Sequence, residues 1–572
     1  MKKYLKQINR LLKIDEQVIN NILRGGTYLL ETRTGWGKTT LGVILSLILA
    51  YEGYRVLFYT RTNTEISEVY MKFKQYVNKF PNTFTPIILP LLGKEFYCPY
   101  TELDIYKSPY RLCENLRRAK ACILYKKYQS INPRSIIPDI VRSEHLENVV
   151  LNILEHNACP YYTVKSLISS ANIIIGTYYF LFNQPHYLQL KPFKYAIIVD
   201  EAHNLPEYYT NMHILTVPEK CIIEILEEIE NRGLNQHKKL IDLYHRTINK
   251  KDRSSMLDIL SSIIYIIQEN QYILDNLTCD NQDFISSLTS IYPKHVLLAK
   301  KVRRIDNTIF LVFAYTNDSI RNILTYSFLN LFLSATLSPR FLYIRFLKRI
   351  SDLNKITYIN DIAPQAKGKI ELIFISGFSS RYKERARIIV EQIADGIFHI
   401  LKLYGNSIIF TVSKEYLYKI LNETQFFSTI EIIDDIELFI QKIKLGLDKI
   451  GLILTYRSRY SEGINILRNI KVRNIILTGL PVPPPSPRIN FLVNISYGYR
   501  DRNSVYKYGY LHPALTSTIQ SIGRVIKEET QDLKIFIFED RLKELLLSKM
   551  TPKWFRNMIL IKTINYDDLK GY

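Results

Sequence analysis

The chain has 572 residues, 47% of them apolar and 23% charged, and carries 76 Lys and Arg against 54 Asp and Glu, a formal charge of +22. That length exceeds a single hydrophobic core and predicts three or four domains, and the composition excludes collagenous, low-complexity and disordered classes. The basic balance favours a polyanionic partner through counterion release, although solvated lysines alone would give the same total.

The basic start, Met1–Lys13, is followed by no apolar region or small-residue cleavage site. The longest apolar run of interest, Leu41–Ala50, falls well short of the roughly 20 residues that cross a bilayer. An intracellular location without membrane contact is expected, cytoplasmic and nucleoid-associated if the source is prokaryotic. Six cysteines in so long a chain do not make a disulfide framework.

In chain order, the strand Thr27–Glu31 runs into Thr34-Gly35-Trp36-Gly37-Lys38-Thr39 and then an apolar helix. This is the context of a phosphate-binding loop, with Thr32 in place of its first glycine. Such glycines let backbone N–H groups close around an anion at a helix N-terminus, so Thr34, Gly35 and Gly37 would cradle the phosphates of ATP. Lys38 would reach the β- and γ-phosphates, and Thr39 would hold Mg2+.

A second strand, Arg55–Thr60, ends at Arg61-Thr62, after which Leu91–Lys165 breaks the alternation of strand and helix. This insertion holds Cys98, Cys113, Cys122 and Cys159, separated by 15, 9 and 37 residues. Four thiolates suit an iron–sulfur cluster or a closed zinc site. Because the intervals match no zinc ribbon, four unligated thiols also remain open. Cys221 and Cys279 lie outside the set and read as ordinary core or surface residues.

Strands Asn172–Gly176 and Tyr195–Asp200 follow, and the latter delivers Asp200-Glu201-Ala202-His203 at its C-terminal end, where α/β sheets place ligands. Asp200 can hold hydrated Mg2+, Glu201 can orient or deprotonate an attacking water, and His203 can link nucleotide state to the rest of the molecule. Capping the next helix is the alternative use of these acids. Pro218–Lys301 then shows helical periodicity, as in Cys221–Glu230 and Met256–Gln271. Near its end Lys294, Lys300, Lys301, Arg303 and Arg304 would either track phosphates or form a solvated helix face.

Asn330–Leu333 completes the first set of strands. A second set, Lys369–Ile375, Ser407–Phe410, Leu452–Thr455, Asn474–Leu477 and Lys534–Phe538, predicts another helix-covered parallel sheet. Pro481–Pro487, with five prolines, predicts a rigid extended loop.

With Asp-Glu-Ala-His identified, the later segments resemble those of the superfamily 2 helicases: Ser334-Ala335-Thr336 after a strand, and Gln520-Ser521-Ile522-Gly523-Arg524-Val525-Ile526-Lys527 as the motif that brings cations to the γ-phosphate. Others resemble the XPD family. They are Arg61-Thr62, Gly176-Thr177-Tyr178-Tyr179-Phe180-Leu181, Ser461-Glu462-Gly463-Ile464, Gly479-Leu480-Pro481 with its proline-rich continuation, and the cysteine set ending in Cys159-Pro160-Tyr161-Tyr162. Glu16-Gln17 resembles the adenine-recognising glutamine segment.

The resemblance implies an α/β fold with two RecA-like P-loop domains and, inserted in the first, an iron–sulfur cluster domain and a helical arch. The first RecA-like domain would comprise residues 1–90, 166–210 and 306–339, the cluster domain 91–165, the arch 211–305 and the second RecA-like domain 340–572. It implies a [4Fe–4S] cluster on Cys98, Cys113, Cys122 and Cys159, catalytic roles for Lys38, Asp200, Glu201, Gln520, Arg524 and Lys527, and nucleotide contacts from Gln17, His203, Glu462 and Gly463. Tyr161, Tyr162, Tyr178 and Tyr179 could stack on bases in a strand groove.

The activity implied is that of an ATP-dependent 5′→3′ DNA helicase acting on single-stranded and tailed duplex DNA in repair. It would be a monomer with repair or transcription proteins as partners. Lys527 stands where the family has a second arginine, and Ser458 and Asn465 replace a glycine and an aspartate around Glu462-Gly463. Asn63 and Glu65 replace His and Gln after Arg61-Thr62. These departures keep open a single-strand translocase, an RNA helicase and an ATP-binding scaffold, although intact Lys38, Asp200 and Glu201 oppose the last.

Overall fold

The computed structural model describes residues 14–80, 84–103, 109–183, 190–231, 296–303, 309–315, 319–360, 362, 369–381, 386–424, 429–456, 472, 474–526 and 533–570. They fall into two compact units, Met1–Asn204 with Asn322–Pro483 and Tyr510–Tyr572, and Leu205–Arg321 with Pro484–Gly509.

The first unit contains two seven-stranded sheets, parallel throughout. The first sheet comprises β1 (Gly26–Glu31), β2 (Arg55–Thr60), β3 (Ile88–Leu91), β4 (Ile173–Thr177), β5 (Tyr195–Val199), β9 (Leu329–Ser334) and β10 (Thr357–Asn360), in the spatial order β10-β1-β9-β5-β2-β4-β3. The second comprises β11 (Ile370–Ile375), β12 (Ser407–Thr411), β13 (Glu431–Ile433), β14 (Ile450–Thr455), β15 (Asn474–Leu477), β16 (Leu533–Ile537) and β17 (Ile559–Ile564), in the order β13-β14-β12-β15-β16-β11-β17. Central strands are buried along their whole length and mostly apolar because helices cover both faces, and every residue of β5, β9, β12 and β15 is buried.

All ten strands expected from the sequence are present. The first sheet, however, reaches past residue 339 to take in β10, which pairs with β1 from Tyr28↔Thr357 to Glu31↔Asn360. A boundary at 339/340 therefore cuts this lobe short.

The second unit corrects the expectation of a wholly helical arch. The helix Glu219–Asn231 is there, but β6 (Ile214–Pro218), β7 (Val296–Arg303) and β8 (Ile309–Tyr315) form an antiparallel sheet in the order β6-β8-β7. Lys300, Lys301 and Arg303 accordingly lie on a strand and not on a helix. The run Val-Leu-Leu-Ala-Lys-Lys-Val-Arg has only two β-branched residues, so its pairing with β8, and not local propensity, makes it a strand. β8 shows that 306–315 belongs with this sheet. The helices Leu205–Met212 and Pro487–Tyr497 join the unit through a hydrogen bond between the Thr210 and Ser496 hydroxyls at 2.8 Å. Pro487 opens its helix, capped by Ser486, so the extended proline segment ends one residue early. Met256–Gln271, Lys294, Arg304 and Cys279 lie outside the described residues.

Where β1 meets β10 and the segment after β9, the buried Glu31 carboxylate accepts hydrogen bonds from the Leu337 N–H and from the Ser338 and Tyr358 hydroxyls. Burial outweighs those bonds and pushes its pKa up to about 7. A carboxyl held above its unfolded value near ~4.3 contributes stability that is complete below that value and is lost as pH rises to about 7, roughly 3 kcal/mol in all. Glu31→Gln should remove this loss. The expected result is that urea unfolding of the variant weakens less between pH 5 and 8 than that of the parent, the remaining loss coming from other raised carboxyls such as Glu65.

Candidate nucleotide-binding site

Strands of a parallel sheet end at one edge, and here that edge gathers the loops that carry chemistry. The loop after β1 leads into the helix Lys38–Tyr51. Gly35 and Gly37 have φ of +78° and +108°, conformations that cost a side-chain-bearing residue dearly and that turn the backbone N–H groups inward. Lys38 is buried, with its ammonium donating to the carbonyls of Arg33 at 3.1 Å and Thr32 at 3.5 Å. Thr32, where the pattern has glycine, is fully buried and tied by its N–H to the Ser334 carbonyl of β9.

From β5 the acidic pair meets this loop, with the Thr39 hydroxyl donating to Asp200 Oδ2 at 2.6 Å and the Glu201 N–H donating to Asp200 Oδ1 at 3.0 Å. Glu201 has φ +47°, a strained left-handed conformation, and its carboxylate lies 3.3 Å from His203 Nδ1. The two acids differ in charge environment. Burial and the Glu201 charge raise Asp200, partly offset by the Thr39 hydrogen bond and Lys38. For Glu201, burial is outweighed by the hydrogen bond from His203 and by Lys38 and Arg524, so it is held below the ordinary carboxylate range. Glu201 is a third exposed, which weakens the burial cost further.

The second lobe completes the pocket. The helix His512–Val525 approaches the phosphate loop closely enough for the Thr34 hydroxyl to donate to the Gly523 carbonyl at 2.8 Å, and a Cβ on Gly523 would sit 2.4 Å from that oxygen. Gln520 Nε2 lies 2.8 Å from His203 Nε2 and donates to Thr336 Oγ1 at 3.1 Å, while His203 Nδ1 lies 2.9 Å from Ser334 Oγ. The acidic strand end, the Ser-Ala-Thr segment and the second lobe thus share one polar chain. Trp554 Nε1 donating to the Ala335 carbonyl at 2.8 Å and His512 Nε2 lying 2.9 Å from the Ser338 carbonyl add two further ties.

The resulting cavity, of about 300 Å3, is lined by Thr34, Gly35, Gly37, Lys38, Thr39, Asp200, Glu201, Gln520 and Arg524. The structure also brings in residues the sequence reading did not place there: Thr40, and Glu65, Glu68, Val69 and Lys72 on one face of the helix Asn63–Val77. Their spacing of three and four was the available signal. Glu65 also closes a capping box with Thr62 and accepts the Arg61 N–H at 2.8 Å, while burial and the nearby acids push its pKa up to about 7. Gln17 is exposed near the start of the helix Glu16–Leu23 and is not among the residues that line this cavity. Lys527, Glu462, Gly463, Ser458 and Asn465 lie outside the described residues.

Tyr178 is likewise no stacking platform. It is fully buried, and its hydroxyl donates to the carbonyls of Asp200 and Glu201, bracing the strand end from below. Tyr179 is exposed.

In the insertion, Cys98 follows the helix Lys94–Tyr97, Cys113 sits in Pro109–Arg118, and Cys122 and Cys159 cap Ile123–Tyr128 and Pro160–Leu167. None forms a disulfide. Burial and then the charges of Cys122, Cys113 and Cys98 push Cys159 up to about 11, with the Tyr162 N–H opposing. The Cys159 thiol therefore lies within electrostatic reach of the other three. Among the described residues no group of three or more His, Cys, Asp or Glu is arranged to hold a metal ion, so the fit rests on the donor set. A second observation favours it: none of the described residues from 98 to 135 is buried, so this segment has no apolar core of its own. Tyr161 and Tyr162 belong to this segment's packing, with Arg117 over the Tyr162 ring at 4.8 Å and Lys94 over Tyr161 at 5.4 Å.

The DEAD_2 family model matches residues 58–222 and the Helicase C-terminal domain model matches residues 399–558. The chain is 22% identical over 583 residues to the ATP-dependent DNA helicase XPD of Sulfolobus acidocaldarius, spanning 94% of this chain and 96% of that one. It is 27% identical over 261 residues to the general transcription and DNA repair factor IIH helicase subunit XPD of Dictyostelium discoideum, 40% of this chain and 33% of that one. A solved XPD helicase superposes with a TM-score of 0.60 at 18% identity, covering 99% of this chain and 100% of that one. An apo XPD structure gives 0.55 at 17%, with 96% and 99% covered.

Proposed function

We infer that this chain, which belongs to the XPD-like family of superfamily 2 helicases, is an ATP-dependent DNA helicase that moves 5′→3′ along single-stranded DNA and opens tailed duplexes, in the service of DNA repair. One observation carries the mechanism: the cavity around Lys38 and Asp200 is walled on its other side by Gln520 and Arg524 of the second lobe. A ligand that fills it must contact both lobes, so its cleavage changes what holds them together.

ATP and Mg2+ supply the phosphoanhydride and the charge neutralisation of its oxygens when bound. Thr39 and Asp200 present hard oxygen donors suited to Mg2+. Lys38 exchanges the Thr32 and Arg33 carbonyls for phosphate oxygens. Glu201, ionised and aimed into the cavity, orients the attacking water and takes its proton. Arg524 meets charge that develops on the γ-phosphoryl group. His203 and Gln520 register the change through Ser334 and Thr336. The four cysteines would hold a [4Fe–4S] cluster whose service is to fix the fold of the insertion.

Strand displacement tests the reading. A duplex with a 5′ single-stranded tail should separate with ATP, one with a 3′ tail should not, and single-stranded DNA should stimulate hydrolysis more than RNA. Hydrolysis without separation identifies a translocase, preferential stimulation by RNA an RNA helicase, and indifference to Lys38→Ala a scaffold.

A further inference from the structure

At the edge of the first sheet opposite the nucleotide pocket, where β2, β4 and β5 begin, lies a cavity of about 310 Å3. Its described lining includes Arg55, Lys191 and Lys194 and no carboxylate. Arg55 donates to the Ser169 carbonyl, which fixes its guanidinium at the rim. The Lys194 ammonium lies 5.9 Å from the centroid of Tyr54, a ring stacked on Phe328 at 4.3 Å. Among the described residues no acid pairs with Lys191 or Lys194.

Between the two lysines, Phe193 adopts a left-handed backbone with φ +57°, unfavourable for so bulky a residue, and is held there by its N–H donating to the Tyr326 carbonyl at 2.7 Å. The conformation spends strain to put an aromatic ring into water. Phe193 is 57% exposed, beside Tyr326 at 45%, with ring centroids 6.1 Å apart. A hydrophobic core would use neither the strain nor the exposure, and a phosphate-only site would have no use for the rings.

We propose that this cavity, together with the exposed Phe193 that stands in the chain between its lining residues Lys191 and Lys194, forms a second binding site for single-stranded nucleic acid, with phosphates on Lys191, Lys194 and Arg55 and a base stacked on Phe193. Cations that track a backbone beside exposed rings are the composition such a site requires. The proposal rests on the reading that the chain acts on nucleic acid. Opening a duplex yields two single strands, and a second site would receive the strand along which the motor does not move.

The test uses the full chain and a fluorescein-labelled oligothymidylate of about ten nucleotides. The parent should bind two strands per chain. Lys191→Glu with Lys194→Glu should bind one, and Phe193→Ala should weaken the second strand about tenfold. Stimulation of ATP hydrolysis by the same oligonucleotide should be unchanged in both variants, because it reports the other path. One strand per chain in the parent, or two retained after charge reversal, overturns the proposal. So does displacement by inorganic tripolyphosphate that is as effective on Phe193→Ala as on the parent, since that marks a phosphate site. A parent that binds two strands yet shows no stimulated hydrolysis refutes the helicase reading and leaves the second site standing.

Discussion

Replacing Arg524 with alanine should lower kcat for ATP hydrolysis by about a thousandfold or more while changing ATP affinity by less than about tenfold. The asymmetry follows from where the residue sits. Lys38, Gly35, Gly37 and Thr39 belong to the first lobe and surround the phosphates of any bound nucleotide, so most ground-state affinity resides there. Arg524 comes from the end of a helix in the other lobe and faces the same cavity, where negative charge grows only as the γ-phosphoryl group departs. Arg524→Lys should recover only part of the rate, because an ammonium keeps the charge without the planar fork. Single-turnover hydrolysis and equilibrium nucleotide binding separate the two quantities. A variant with more than a tenth of the parent kcat would show that the second lobe supplies no charge to the reaction.

The strands visible in the sequence and those hidden from it differ in one physical respect. All ten interior strands announce themselves as apolar runs because helices cover both their faces. Of the two parallel sheets, the four strands that escaped, β3, β10, β13 and β17, are the edges, and the three strands of the antiparallel sheet, β6, β7 and β8, escaped as well. β3 carries Pro90, which only an edge tolerates, and β17 alternates half-buried and exposed residues. The site was legible to the same degree. Lys38, Thr39, Asp200 and Glu201 could be placed because the loops that follow parallel interior strands gather at one edge of the sheet. The Glu65–Lys72 face could not, since its role depends on which way a helix is turned.

The same logic of burial yields the second large effect. Between residues 98 and 135 the chain makes several short helices, yet no described side chain there is buried, whereas the part that follows has a core of Ile136, Ile140, Leu146, Val149 and Ile153. Helices of four to ten residues have no independent stability in water, so the earlier segment needs another source of order. Cys98, Cys113 and Cys122 lie within it, and Cys159, buried, joins it to the later core. Cys113→Ser changes a half-buried side chain by a single atom and leaves apolar packing intact. It should nevertheless remove iron and brown colour from anaerobically purified protein, render residues 98–135 sensitive to protease, and abolish strand separation. ATP hydrolysis on single strands should persist within about tenfold, because the nucleotide pocket draws no residue from this segment. Zinc in place of iron would change the identity of the metal and keep the argument. Parent protein free of metal, with the segment equally protected and duplexes still opened, would mean that the thiols do not organise it.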